Sequence, residues 1–233
     1  IAGVVALTVV TRVTLLEAVD PAATTAVLTV LAVGSLLFGA FGMVRQRAVG
    51  RMLGYSAIAQ VGYALTALAA GPGGVDAAVV HIVMYAVAAS AAFVGLEAVL
   101  RARPEWDGSL EGLRGLSQEA PVLAASLGVV MLSLTGVPLL AGFWGKFAVL
   151  TAAVEADMVW LALLAGVAAV VSFGGSGSVL RSLYVDEAPE TLTERRSGGL
   201  PAWVVGLLAV ALIVLGILPL ASGLDPLFAA LGL

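Results

Sequence analysis

Apolar positions in this chain come in long runs, not in stripes. Hydrophobic stretches of helix-spanning length recur, separated by short polar loops. A bilayer-crossing helix needs about 20 mainly apolar residues, and a helix apolar on every face is not the amphipathic helix of a soluble core. Seven segments fit: Ile1–Ala18, Ala22–Val44, Met52–Ala70, Val75–Leu100, Ala120–Val154, Met158–Leu183 and Ala202–Leu220. Leu224–Leu233 is too short to cross and is expected at the membrane surface. The pattern predicts an all-α polytopic membrane helix bundle of about seven spans, one transmembrane domain over residues 1–233.

The fifth segment departs from the rest. As one straight helix its residues 120–154 would extend about 52 Å, against a hydrocarbon core of about 30 Å. Gly136, Pro138 and Gly142 lie inside it, so it is expected to be broken at Gly136–Gly142. Interrupted backbone at membrane depth is tolerated only where protein or a water-filled cavity satisfies the freed groups. Just past the interruption comes Lys146, the sole lysine of the chain, in a stretch with no other charge. It stands eight residues before the segment's exit, about 12 Å from the interface, which is deep for snorkelling.

Loop charges test the count. Arg45, Arg47 and Arg51 follow the second segment, Arg101, Arg103 and Arg114 the fourth, and Arg181, Arg195 and Arg196 the sixth. The alternate loops carry Asp20, Asp76, Glu155 and Asp157, with no Lys or Arg. This parity holds only if the broken segment crosses once. The positive-inside rule then places the basic loops in the cytoplasm; the chain is expected as a multi-pass protein of the cell's inner (plasma) membrane.

Composition narrows the chemistry. The chain is 61% hydrophobic and 11% charged, where a soluble domain has about 25% charged residues. It has no cysteine, which excludes thiolate-held clusters, cysteine zinc sites and disulfides. One histidine and scattered carboxylates form no metal-ligand set, and the net charge of −4 gives no nucleic-acid surface. Residue 1 is Ile within an apolar run, with no initiator Met and no signal-peptide pattern. The chain is therefore expected to begin inside a spanning helix, as part of a longer product.

Few residues can carry chemistry. A lysine in hydrocarbon costs at least about 2.5–3.5 kcal/mol and marks a functional site by default. Beside a helix break, Lys146 reads as part of an ion or proton path; the competing role is an ion pair tying two helices together. His81 and Tyr85 share a face of the fourth segment at i and i+4. Imidazole can shuttle protons, although a histidine satisfied by helix packing fits equally well. Ser56, Gln60 and Tyr63 share a face of the third segment, at i, i+4 and i+7, and either hold waters or bond neighbouring helices. Arg12 and Glu17 on the first segment, and Glu97 beside Arg101, read as structural charges. The Gly174–Ser178 patch reads as close helix packing. Leu110–Leu116 is either a short surface helix or a polar loop, and Asp186–Gly199 a solvated linker.

Two segments resemble a known family. Arg51-Met52-Leu53-Gly54-Tyr55-Ser56-Ala57-Ile58-Ala59-Gln60-Val61-Gly62-Tyr63 resembles a helix of the antiporter-like subunits of respiratory complex I and the multisubunit cation/proton antiporters. Met131-Leu132-Ser133-Leu134-Thr135-Gly136-Val137-Pro138, continuing to Gly142-Phe143-Trp144-Gly145-Lys146-Phe147, resembles their broken helix. Order and spacing agree, and the likeness covers the chain as the C-terminal half of such a subunit. Tyr85-Ala86 resembles the subunit N branch, since the paralogues tend to carry His and Lys at positions 85 and 89; Ala89 departs from that branch, where a polar residue, often Asn, is usual. The sequence departs from the family at Gly50, where a lysine is common, and at Gly174–Ser178, where tyrosines are.

The resemblance implies a proton path through Lys146, with His81 in a matching position on the facing helix and Tyr85 and Gln60 as candidate relays. No residue takes a catalytic redox role. Quinone, NADH, flavin and iron–sulfur clusters are implied in partner subunits of an NADH–quinone oxidoreductase, and no cofactor is expected on this chain. Expected partners are other membrane subunits and the lipid bilayer. Two alternatives stay open: a subunit of a multisubunit cation/proton antiporter, and a structural membrane-arm module.

Overall fold

A computed structural model of the chain describes residues 20–187 and 199–222. The first expected span, with Arg12 and Glu17, lies outside the described residues, as do Arg195, Arg196 and Leu224–Leu233. The helices are α1 (Pro21–Val44), α2 (Val49–Ala69), α3 (Gly74–Ala102), the one-turn α4 (Leu116–Glu119), α5 (Pro121–Thr135), α6 (Ala141–Glu155), α7 (Val159–Tyr184) and α8 (Gly199–Ser222). Among the described residues, five helices are long and apolar enough to cross a membrane: α1, α2, α3, α7 and α8. The fifth expected span is split into α5 and α6, each of 15 residues.

Local chemistry sets the start of α1. The Asp20 carboxylate accepts from the Ala22 and Ala23 N–H groups at 3.1 Å each, and Pro21 takes the first helical position. Lipid gives no hydrophobic drive for helices to associate, so close packing by small residues must bind them. On α3, Ala77, Ala78, Ala88, Ala91, Ala92, Gly95 and Ala98 are buried, and this helix packs against α2, α5, α6 and α8. Gly39 of α1 meets α2 so closely that a Cβ would run into the Ala59 backbone. The expected close packing of the glycine-rich patch is present at Gly175, which lies against Met43.

The polar connections gather at one end. Residues 47–49 pair with 108–110 through Val49 N–H to Gly108 O and Leu110 N–H to Arg47 O, both 2.9 Å. The Leu110–Leu116 segment is a 3-10 turn (Glu111–Leu113) leading to α4, pinned by buried Leu113 and Leu116. Arg103 organises the connection: its Nε donates to Glu119 at 2.7 Å, and its Nη1 donates to the Gly112 and Arg114 carbonyls. Arg114 and Arg181 both reach Asp186, at 3.8 and 3.0 Å. The arginine-bearing loops expected on one side of the membrane thus meet at one end of the bundle. Glu97 pairs with Arg101 at 2.9 Å on the exposed surface, as expected for interfacial charges.

The interruption is shorter than expected. Helix α5 ends at Thr135, and Gly136 takes a left-handed conformation, φ 89°. Its N–H donates to Ser133 O at 2.9 Å and Leu132 O at 3.1 Å, while Val137 N–H donates to Leu132 O at 3.1 Å. These bonds make the Schellman closure that glycine favours. Pro138 and Leu139 form the exposed middle of the loop, and Leu139 holds φ 74°, a conformation costing an L-residue about 1–2 kcal/mol. Gly142, expected within the break, instead lies in the first turn of α6. Its role is closeness: a Cβ there would collide with the Ser133 carbonyl, and its N–H donates to Ser133 Oγ at 3.2 Å. Helix α5 in this way caps helix α6 across the loop.

Two stability effects follow from these contacts. Gly136→Ala forces a side chain into the left-handed region and is expected to cost about 1–2 kcal/mol. Arg103→Ala leaves the part-buried Glu119 carboxylate without its partner and should cost about 1–3 kcal/mol. Both are read as the unfolding midpoint of the detergent-solubilised protein. An unshifted midpoint for Gly136→Ala would mean that the Schellman closure does not depend on glycine. An unshifted midpoint for Arg103→Ala would mean that the guanidinium does not fasten the loop.

Candidate functional site

A helix that ends in hydrocarbon must place its last four carbonyls somewhere. In α5 these belong to Leu132, Ser133, Leu134 and Thr135. The Schellman closure takes the first two. Lys146, reaching back from α6, takes the others: Nζ donates to Leu134 O at 3.1 Å and Thr135 O at 2.7 Å. Gln60 Nε2 adds a second donor to Leu134 O at 3.2 Å. Every terminal carbonyl of the half-helix is satisfied, and the lysine is the group that completes the set.

Lys146 is 6% exposed and is the one charged side chain buried among the described residues. Among the described residues no carboxylate forms an ion pair with it. Three terms support its ammonium instead. Two charge-assisted hydrogen bonds are made to carbonyls. The negative end of the α5 dipole contributes up to about 2 kcal/mol in partly buried geometry. The Tyr63 ring lies 4.8 Å from Nζ, a cation–π contact worth up to about 2 kcal/mol when desolvated.

Helix α3 brings His81 to the same place. Its Nε2 lies 3.3 Å from the Gln60 carbonyl oxygen, and a carbonyl only accepts, so Nε2 carries the hydrogen in the neutral ring. Gly145 of α6 makes this approach possible, since a Cβ there would stand 3.0 Å from His81 Cα. The rings of His81 and Tyr63 are 5.5 Å apart. Lys146, His81, Gln60 and Tyr85, with Ser133 and Met84, line a cavity of about 10 Å³. That is close to the room one water molecule requires, and the walls offer polar partners.

The expected residues do not all play one part. His81, Gln60 and Tyr85 come together around Lys146, with Tyr85 half-buried. Tyr63 meets the ammonium with its ring face, not its hydroxyl, which donates to Ala165 O of α7 at 2.8 Å. Ser56 is buried one turn from Gln60 but does not line the cavity. Gln60 is bound by its side chain to Leu134 and by its carbonyl to His81, so it orients both helices. Sequence reasoning overlooked the Leu134 and Thr135 carbonyls. The signal was present, because a helix broken by Gly-x-Pro before a lysine must leave acceptors for that lysine.

Comparison with known proteins bears on the family and the fold. Residues 1–172 match the family model described as NADH:quinone oxidoreductase/Mrp antiporter, TM. The chain is 36% identical over 181 residues to NADH-quinone oxidoreductase subunit N of Parvibaculum lavamentivorans, covering 77% of this chain and 37% of that one. It is 36% identical over 209 residues to the subunit N of Laribacter hongkongensis, covering 88% and 43%. The fold matches a chain of respiratory complex I from Thermus thermophilus with bound NADH, with TM-score 0.75 and 27% identity, over 91% of this chain and 45% of that one. The chain spans less than half the length of these relatives. A buried lysine closing a broken membrane helix, with the family match over most of the chain, makes it a member of the NADH:quinone oxidoreductase/Mrp antiporter transmembrane family.

Proposed function

We propose that this chain is the C-terminal part of a proton-translocating, subunit-N-type membrane subunit of an NADH–quinone oxidoreductase. The observation that carries the reading is the pair of hydrogen bonds from Lys146 Nζ to the end of α5. A protonated amine has three N–H groups and two are used here. A neutral amine keeps two, enough for the same two carbonyls. Lys146 therefore gives up and regains one proton without stranding a buried acceptor, as a proton site requires and a fixed ion pair does not.

The released proton passes into the cavity shared with His81 and Tyr85. His81 takes part as the titratable neighbour on α3, and Gln60 and Tyr63 hold the lysine in place. Ser56 is assigned to helix packing. The break over residues 136–140 leaves the Leu134 and Thr135 carbonyls of α5 to the lysine and forms a hinge. Quinone reduction, with its NADH, flavin and iron–sulfur chemistry, belongs to partner subunits of the same complex. The subunit sits in the plasma membrane with its arginine-bearing end in the cytoplasm. A second reading has support in the family description, which also names Mrp antiporters. Pumping that requires sodium, with no quinone reductase co-purifying, would select it.

The test uses the full-length subunit in its complex, with NADH-driven proton uptake into inverted vesicles measured beside NADH oxidation. Lys146→Met is expected to abolish uptake through this subunit. Lys146→Arg, which keeps the charge but does not release its proton, should abolish it as well. Unchanged uptake in Lys146→Met would make the lysine structural. Normal uptake in Lys146→Arg would show that charge alone suffices and would reject proton exchange at Nζ.

A further inference from the structure

We propose that Gly216 of α8 and Trp144 of α6 form a latch that sets the spacing across the helix break. Both are then positioning residues for proton exchange at Lys146, an inference that rests on Lys146 being a proton site.

Helix α8 meets the break at Gly216 and from the same residue binds α6. A Cβ on Gly216 would run into the Leu139 carbonyl and the Leu140 Cα, which are backbone atoms that cannot swing aside. Only glycine allows α8 to seat against the loop. The Gly216 carbonyl in turn accepts from Trp144 Nε1 at 2.8 Å, in a buried contact. Gly216 thus presses on the loop before α6 and holds α6 itself by an indole. The segment it presses on contains Leu139, held at φ 74° although it is not glycine. A strained residue persists only where its surroundings over-determine it, and Gly216 is such a surrounding. Pro219 lies less than one turn further along α8, where it removes a helical N–H and favours a bend beside the contact.

The consequence reaches Lys146 because its two hydrogen bonds are themselves the bridge across the break. Displacing Leu139 and Leu140 shifts α6 against α5 and lengthens those bonds. Trp144 precedes Lys146 by two residues, so its indole and the lysine side chain leave α6 on nearly opposite sides. Helix α8 therefore grips α6 from behind while α5 receives the ammonium in front. The family match ends at residue 172, so this contact comes from a helix beyond the matched residues.

The experiment compares Gly216→Val and Trp144→Phe with Lys146→Met in the full-length subunit of the assembled complex. The phenylalanine keeps an aromatic ring and removes the indole donor. Proton uptake is measured across pH, together with the rate at which a water-soluble maleimide labels a cysteine introduced at Val137; these 233 residues have no cysteine of their own. Both latch variants are expected to assemble, to lose uptake several-fold with a displaced pH optimum, and to label several-fold faster. A purely structural defect would lower uptake through poor assembly and leave the pH profile in place, and that result overturns the latch. Wild-type uptake, pH profile and labelling in both variants, with Lys146→Met inactive, overturn the latch and leave the role of Lys146 standing. If Lys146→Met pumps normally, that role falls, and the labelling rate decides the latch by itself: faster labelling supports it and unchanged labelling rejects it.

Discussion

Breaking a helix inside hydrocarbon exposes backbone carbonyls that lipid cannot satisfy. Much of this bundle is arranged around that requirement. The last four carbonyls of α5 go to Gly136, Val137, Lys146 and Gln60, and the first turn of α6 takes its cap from Ser133. The break is stable because three separate helices supply what it lacks. Gln60 comes from α2, Lys146 from α6 and the Gly216 contact from α8.

That division of labour explains how a charged residue persists in an apolar interior. Lys146 is not neutralised by a carboxylate among the described residues; it is absorbed by dipoles and a π face. Carbonyls carry no proton and have no charged state to lose, so they serve the ammonium and the amine alike. A carboxylate partner would hold the lysine charged and would suit a strut better than a proton site. The small residues of α3 and the glycines at 142 and 145 serve the same end by letting α3, α5 and α6 approach closely. Gly145 brings α6 against His81 of α3, and His81 and Lys146 line one cavity.

The opposite device operates at the arginine-bearing end. There the connections are polar, and Arg103, Arg114 and Arg181 fasten them by ion pairs and by bonds to carbonyls. The contacts are more exposed than the Lys146 site, and that position suits loop anchoring, since partly exposed pairs hold geometry without titrating a buried group.

Sequence by itself determined the class of this protein. Runs of apolar residues fixed the spans from Ala22 to Leu220 to within a few residues, because lipid admits few alternatives to a helix. Gly136 and Pro138 fixed the break, since the length of the segment and the chemistry of those residues both demand one. Lys146 and His81 stood out because a titratable group in such surroundings is costly. Other features needed the folded chain. The position of Gly142 inside α6, the ring-first approach of Tyr63, the withdrawal of Ser56 from the cavity and the grip of Gly216 on Leu139 depend on how helices far apart in sequence rotate and approach. Helices that are apolar on every face carry no stripe to say which side turns inward, so only tertiary packing decides it.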